Sequence, residues 1–304
     1  MRVFLTGGTG YTGAVVLEAL LDAGHEVVAL TRPRPSDALP KRPGLAWVTG
    51  DFGTPEVIHD QARTTDATVH IGAAHGADNA EMERLDGLVI RTVESALADT
   101  GKAFVNTSAA PVYGETGATP RDESEPIVAP LPARAWRLRH DRTTVAMAER
   151  GVRSVVIRPP NIYGRAGGVA VRQIRRAQTT GKALVIGGGE QRSSVVHVEA
   201  LARLYLLALA SEAAQGVYNA ASDEIVRSRD VAEVIAGQFG PGIEIEEMSL
   251  ETARASLGLM ADISAMNCVI GADRARLDLG WSPAGPSYIG ELVVGSYRAI
   301  GRTA

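Results

Sequence analysis

Short apolar runs of period two alternate with longer stretches of helical period through the first half of the chain, and turn residues mark the joins. That alternation is how a parallel sheet with helices on both faces is written in sequence, because each strand is buried on two sides and each helix on one. It predicts strands over 2–5, 25–30, 46–49, 68–71 and 103–106, with helices over 11–22 and 80–98. Residues 111–132 are rich in Pro, Gly and acidic side chains and read as a surface loop of functional length. A helix over 134–149 and a strand over 154–157, stopped by Pro159 and Pro160, complete a count of six strands.

Beyond Gly164 the pattern is less regular. It predicts helices over 169–179, 199–209, 229–238 and 287–300, short strands around Leu184 and Val195, and a strand over 217–219. The expected fold class is α/β: a Rossmann-type doubly wound parallel sheet over 1–165, with a return segment near 193–220, and a smaller C-terminal substrate lobe from 166–192 and 221–304.

A length of 304 residues suits a nucleotide-binding core with one appended lobe. The 45% hydrophobic and 22% charged content is that of a chain able to bury a core rather than of a disordered one. With 31 basic against 35 acidic residues there is no broad cationic face, so nucleic acid is not an expected partner. Cys268 stands alone, which excludes an internal disulfide and a cysteine-built metal site. No long apolar run and no signal-type stretch occurs, so the expectation is a cytoplasmic protein with no membrane partner and no metal.

Between the first strand and the first helix stands Thr6-Gly7-Gly8-Thr9-Gly10-Tyr11-Thr12-Gly13. Glycines at 7, 10 and 13 have three separate duties: a tight turn, close approach of backbone to a pyrophosphate, and close packing of helix on strand. Tyr11, Thr12 and Gly13 then offer unpaired helix N-terminal N–H groups to the phosphates. The second strand ends Leu30-Thr31-Arg32, so Thr31 stands where NAD-specific folds place an acid, and Arg32, helped by Arg34, can pair with a 2′-phosphate. NADP is therefore the expected cofactor and NAD the alternative.

The glycine turn is joined by Gly50-Asp51, His70-Ile71-Gly72-Ala73-Ala74, Ser108 with Val112-Tyr113-Gly114, Arg158-Pro159-Pro160-Asn161-Ile162-Tyr163-Gly164, Val196-His197-Val198 and Leu279-Gly280-Trp281-Ser282-Pro283. In this order the set resembles the extended short-chain dehydrogenase/reductase family, which includes nucleotide-sugar epimerases. The resemblance implies that Asp51, next to Phe52, holds the adenine amino group, and that Ala73 and Ala74 line the phosphate and ribose side. It further implies that Pro160, Asn161 and Ile162 meet the nicotinamide end, that Thr107 belongs to the cofactor set, and that helices 80–98 and 134–149 form a homodimer.

The family's chemistry rests on a Tyr-x-x-x-Lys pair, and at its usual spacing those positions fall on Trp136 and His140. An indole N–H donates but cannot act as a base. The orienting serine is displaced too: Ala109 precedes Tyr113 by four residues, with Ser108 one step earlier. The candidates left for proton handling are His75, Ser108, Tyr113 and His140. Each has a plainer reading. Tyr113 serves as a structural or substrate contact, His75 caps a loop, and His140 lies on a solvated face beside Arg137, Arg139, Asp141 and Arg142. His70 and His197 read as packing residues.

On the substrate side stand Trp136, Asn161 and Arg192, the last at the place where nucleotide-sugar relatives bind a diphosphate, unless it pairs with Glu190. The reading is an NADP-dependent reductase or dehydrogenase acting on a carbonyl or alcohol of a small organic molecule. Two alternatives stay open, a nucleotide-sugar epimerase or dehydratase and a non-catalytic NADP-binding sensor.

Overall fold

A computed structural model describes residues 1–34, 39–74 and 76–302. The first half contains β1 (Arg2–Thr6), α1 (Tyr11–Asp22), β2 (Glu26–Thr31), β3 (Leu45–Thr49), α2 (Pro55–Thr64), β4 (Ala67–His70), α3 (Asn79–Leu97), β5 (Ala103–Thr107), α4 (Ala135–Ala146) and β6 (Arg153–Arg158). There follow β7 (Asn161–Tyr163), α5 (Gly168–Thr180), β8 (Lys182–Ile186), β9 (Arg192–His197), α6 (Val198–Ala210) and β10 (Gly216–Asn219). The remainder is β11 (Ile225–Arg227), α7 (Ser228–Gln238), β12 (Glu244–Met248), α8 (Leu250–Leu257), α9 (Leu259–Ala265), α10 (Asp273–Leu279) and α11 (Tyr288–Val293).

Seven parallel strands form the main sheet in the order β10-β6-β5-β4-β1-β2-β3. The period of two sorts their side chains. Val3, Leu5, Val27, Ala29, Ala103 and Val105 join the cluster that α1 and α6 cover, while Phe4, Val28, Leu30 and Phe104 join Ile58, Val89, Ile90 and Val93 of α2 and α3. Phe4 is fully buried, and its truncation to alanine carries a cost of about 3–5 kcal/mol. Strand order reverses between β1 and β4, and in such sheets ligands sit in the crevice outside the strand C-termini at that point.

A second apolar cluster gathers Tyr163, Ile174, Val195, Val231, Ile235, Phe239, Tyr288 and Tyr297, around a three-stranded sheet β11-β9-β7 and the pair β12-β8. The loop over 111–132 opens as a 3₁₀ turn, Ala110–Tyr113, and is then pinned to the strand-like segment 267–271. Thr116 Oγ1 accepts from Val269 N at 2.8 Å, Arg121 N donates to the Val269 carbonyl at 3.0 Å, and Gly271 N donates back to Arg121 at 2.9 Å.

The second half adds β7, β11, β12, α8, α9 and α10 to the elements the sequence predicts, and three further differences bear on the fold. The sheet gains a seventh strand because β10 pairs in parallel with β6. Helix α2 was not foreseen, since only Ile58 and Ala62 of its residues are buried and so thin a stripe leaves little period to read. The helix expected over 287–300 is two pieces, α11 and a 3₁₀ turn Ser296–Arg302. The chain folds back at Gly295, where a Cβ would lie 2.6 Å from Glu291 Cα, and the buried Glu291 carboxylate accepts from Ser296 N at 2.9 Å.

Candidate active site and cofactor cleft

At the C-terminal end of β1 the chain turns through Gly7 at φ +80°, and a Cβ there would lie 2.6 Å from Gly72 Cα. At Gly13 a Cβ would lie 2.0 Å from the Gly7 carbonyl oxygen, so neither position accepts a side chain. Gly10 N donates to the Gly7 carbonyl at 2.9 Å and closes the turn. The first turn of α1 carries no acid, which leaves its N–H groups and positive dipole end unopposed. A glycine cradle, free amide donors and the absence of a carboxylate together fit a dinucleotide pyrophosphate. The Tyr11 phenol turns elsewhere: it donates to the Gly164 carbonyl at 2.8 Å, its ring lies against Gly167, and burial drives its pKa far upward. Its main chain is the part that faces the turn.

Thr31 is buried and donates to the Arg32 carbonyl at 3.1 Å, while Arg32 and Arg34 are exposed and make no ion pair among the described residues. The exposed Asp51 carboxylate accepts from Gly53 N at 2.8 Å, and the Phe52 ring covers Gly72 and meets His70 edge-on at 5.4 Å. Ala73 and Ala74 are half-buried. Thr107 donates to the His70 carbonyl at 2.7 Å and bonds the Tyr205 hydroxyl at 2.6 Å. Pro160 is buried, and Asn161 and Ile162 on β7 are half-buried.

Below the turn runs a buried polar chain. Thr6 Oγ1 lies 2.5 Å from His70 Nδ1, His70 Nε2 lies 3.3 Å from Asp86 Oδ1, and His140 Nδ1 lies 2.7 Å from Asp86 Oδ2. Burial works to raise the Asp86 pKa, but the hydrogen bonds from His140 and His70 outweigh it and hold the carboxyl below the usual range. His140 is thus not on a solvated face. Its side chain is 14% exposed, its Nε2 edge lies against Gly87, and its ring meets Trp136 edge-on at 5.3 Å.

A second buried network starts at Asp141, which accepts from Arg158 Nε at 2.9 Å. Arg158 Nη1 donates to the Tyr113 hydroxyl at 3.0 Å, and that hydroxyl donates to Asn219 Oδ1 at 3.1 Å. Asn219 N in turn donates to Glu123 at 2.5 Å. Burial pushes the Tyr113 phenol up, with the Arg158 guanidinium opposing it, and the net direction is upward. By contrast, Trp136 Nε1 is buried and has no hydrogen-bond partner among the described residues, and the buried Ser108 hydroxyl makes no hydrogen bond of normal geometry, though it lies close enough to the Asp141 carboxyl to favour its charged form.

His75 lies outside the described residues. Arg192 is exposed, its backbone N–H bonded to Asn267 Oδ1 at 2.8 Å, and Glu190 pairs not with it but with Arg227 at 3.1 Å. His197 caps α6 and packs edge-on against Tyr163. Sequence reading missed Asp86, Arg158 and Asn219. The signal for Asp86 was an acid on the apolar stripe of α3, beside the buried Val89, Ile90 and Val93. No group of His, Cys, Asp or Glu among the described residues could hold a metal, and no described helix is long and apolar enough to cross a membrane.

A sequence profile of the NAD dependent epimerase/dehydratase family matches residues 3–221. The chain belongs to this family. It is 30% identical to the UDP-glucose 4-epimerase of Azospirillum brasilense over 93% of this chain and 87% of that protein. It is 26% identical, over 85% of this chain and 79% of the other, to 4-hydroxy-2-methyl-3-oxo-4-farnesyl-3,4-dihydroquinoline-1-oxide ketoreductase of Stigmatella aurantiaca. Among solved structures, the UDP-glucose 4-epimerase of Thermus thermophilus in complex with NAD superposes with a TM-score of 0.80 at 21% identity, covering 100% of both chains. The last likeness speaks for the Rossmann-type fold alone.

Proposed function

We propose that the chain is an NADP-dependent oxidoreductase acting on a carbonyl or alcohol of a small organic molecule. The observation that carries this reading is the exposed Arg32, without an ion pair among the described residues, at the end of a strand that lacks the ribose-binding acid. In this reading the amides of the Gly7, Gly10, Tyr11, Thr12 and Gly13 turn hold the pyrophosphate, and Arg32 beside Thr31 takes the 2′-phosphate. Asp51 and Phe52 hold the adenine, Ala73, Ala74 and Thr107 line the ribose side, and Pro160 and Ile162 border the nicotinamide. Bound NADPH supplies a hydride. The proton that completes the alcohol comes from water in the cleft, and positioning falls to side chains and to the amides of the turn.

Ser108 orients the substrate oxygen, and the support is that its buried hydroxyl, unlike the Tyr113 hydroxyl and His140 Nδ1, makes no hydrogen bond of normal geometry and has the Asp141 carboxyl as its polar neighbour. Tyr113 is tied to Arg158 and Asn219, and His140 to Asp86, so both brace the walls from behind. Trp136 and Asn161 border the substrate, with Arg192 further out. A second reading, a non-catalytic NADP sensor, draws support from the same engagement of the Tyr113 hydroxyl and His140 Nδ1.

Titration with NADPH and NADH, followed by a panel of aldehydes and ketones monitored at the reduced-nicotinamide band, tests all of this. Arg32→Ala should weaken NADPH about tenfold, a loss of about 1.4 kcal/mol, and leave NADH unchanged. Ser108→Ala should lower turnover with NADPH affinity intact. Tight binding without turnover on any substrate favours the sensor, and no binding of either dinucleotide sinks both readings.

A further inference from the structure

The carboxylates of α3 and α4 already have bonded partners. Glu81 pairs with Arg84, Glu83 with Arg139, Asp86 with His70 and His140, Glu94 with Arg150, and Asp141 with Arg158. Among the arginines here without an ion pair, Arg91 and Arg142 are exposed, which leaves Arg134 and Arg137. Both are half-buried, three residues apart where the chain enters α4, and neither forms an ion pair among the described residues. Arg134 Nη1 donates to Asn79 Oδ1 at 3.3 Å, a neutral partner. Arg137 lies over the Trp136 ring at 4.5 Å and feels Asp86 and Asp141 only at a distance.

Like charges repel, and burial together with the charge of Arg137 lowers the Arg134 pKa. An exposed arginine without a partner is ordinary because water solvates it, but a half-buried pair calls for an anion. The surroundings favour one. The first turn of α4 holds no acid, and a crossover helix that runs back along a parallel sheet begins at the C-terminal edge of the strands, where the crevice lies. Trp136, 3% exposed and with its Nε1 lacking a hydrogen-bond partner among the described residues, sits between the two arginines in sequence.

We propose that Arg134 and Arg137 form an anion subsite at the rim of the cleft, which takes the carboxylate or phosphate of the substrate. Two guanidinium forks suit a pair of anionic oxygens bidentately, and a substrate anchored there is held by a group remote from its reacting carbon. The word substrate rests on the oxidoreductase reading; the anion subsite itself does not.

Inorganic phosphate and benzoate, titrated separately into the NADPH-saturated protein, provide the test, with tryptophan emission and melting temperature as readouts. Saturable binding is expected, weakened at least tenfold by Arg134→Gln or Arg137→Gln and less by Arg137→Lys. The control Arg142→Gln, at an exposed position of the same helix, should leave it unchanged. Far-UV circular dichroism and the melting temperature without anion separate lost binding from lost folding. The subsite is overturned if neither anion binds the wild type, or if both glutamine variants bind as well as it does. It is equally overturned if the variants lose NADPH affinity in parallel, because the pair then serves the phosphates of the cofactor. Anion binding in a protein that takes no dinucleotide supports the subsite while sinking the oxidoreductase reading.

Discussion

Replacing Gly13 by alanine puts the cofactor turn under a load that the structure lets us size. The new Cβ would stand 2.0 Å from the Gly7 carbonyl oxygen, 2.6 Å from its carbon and 3.1 Å from Gly8 N. Real Cβ atoms essentially never approach another heavy atom within 3.0 Å, so the turn must open by about 1 Å. Forcing a methyl group into a filled site costs about 1–3 kcal/mol, and the yielding atoms here are backbone rather than a flexible side chain tip. Because those atoms form the phosphate cradle, the loss should be felt as affinity. One decade corresponds to about 1.4 kcal/mol, so NADPH should bind roughly 10- to 100-fold more weakly.

Calorimetric titration of NADPH into wild type and variant measures this directly. Gly237→Ala is the control: in α7, with nothing within 4 Å of its Cβ position, it should add about 0.5–1 kcal/mol of stability and leave affinity alone. A Gly13→Ala protein that is folded and binds NADPH within twofold of wild type would refute the placement of the pyrophosphate at this turn.

Asp86→Asn should destabilise the fold by about 2–3 kcal/mol at neutral pH, because an amide can accept from only one of the two histidines that the carboxylate joins. The folded carboxyl is held below its unfolded pKa of about 3.9, so this contribution is complete above that pH and fades as pH falls below it. Urea midpoints at pH 7 and at progressively lower pH should show the gap between variant and wild type closing, and a constant gap contradicts the assignment. Tyr113→Phe removes a donor to Asn219 and an acceptor for Arg158, which should lower stability by about 1–3 kcal/mol in the same assay. If instead reductase turnover vanished while stability held, Tyr113 would be the proton donor and not a brace.

What the chain settles by itself lies in features that neighbours in sequence complete. The period of two and the turn signals are enough to place β1, α1 and β2, since each element is decided by which of its own positions must be buried. The glycines at 7, 10 and 13 and the acid-free end of β2 are legible for a similar reason: each is marked by residue type at a fixed place on β1, α1 or β2, although the close approach of Gly72 to Gly7 comes from a distant segment. The other side of the site is decided by contacts between distant segments. Asp86 meets His140 across 54 positions, Tyr113 meets Asn219 across 106, and Arg134 meets the neutral Asn79 across 55. Residue type and spacing state what such groups are able to do. Which partner each one holds depends on how α3, α4 and the sheet pack, and a pairing of that kind leaves no mark in the local pattern of the chain.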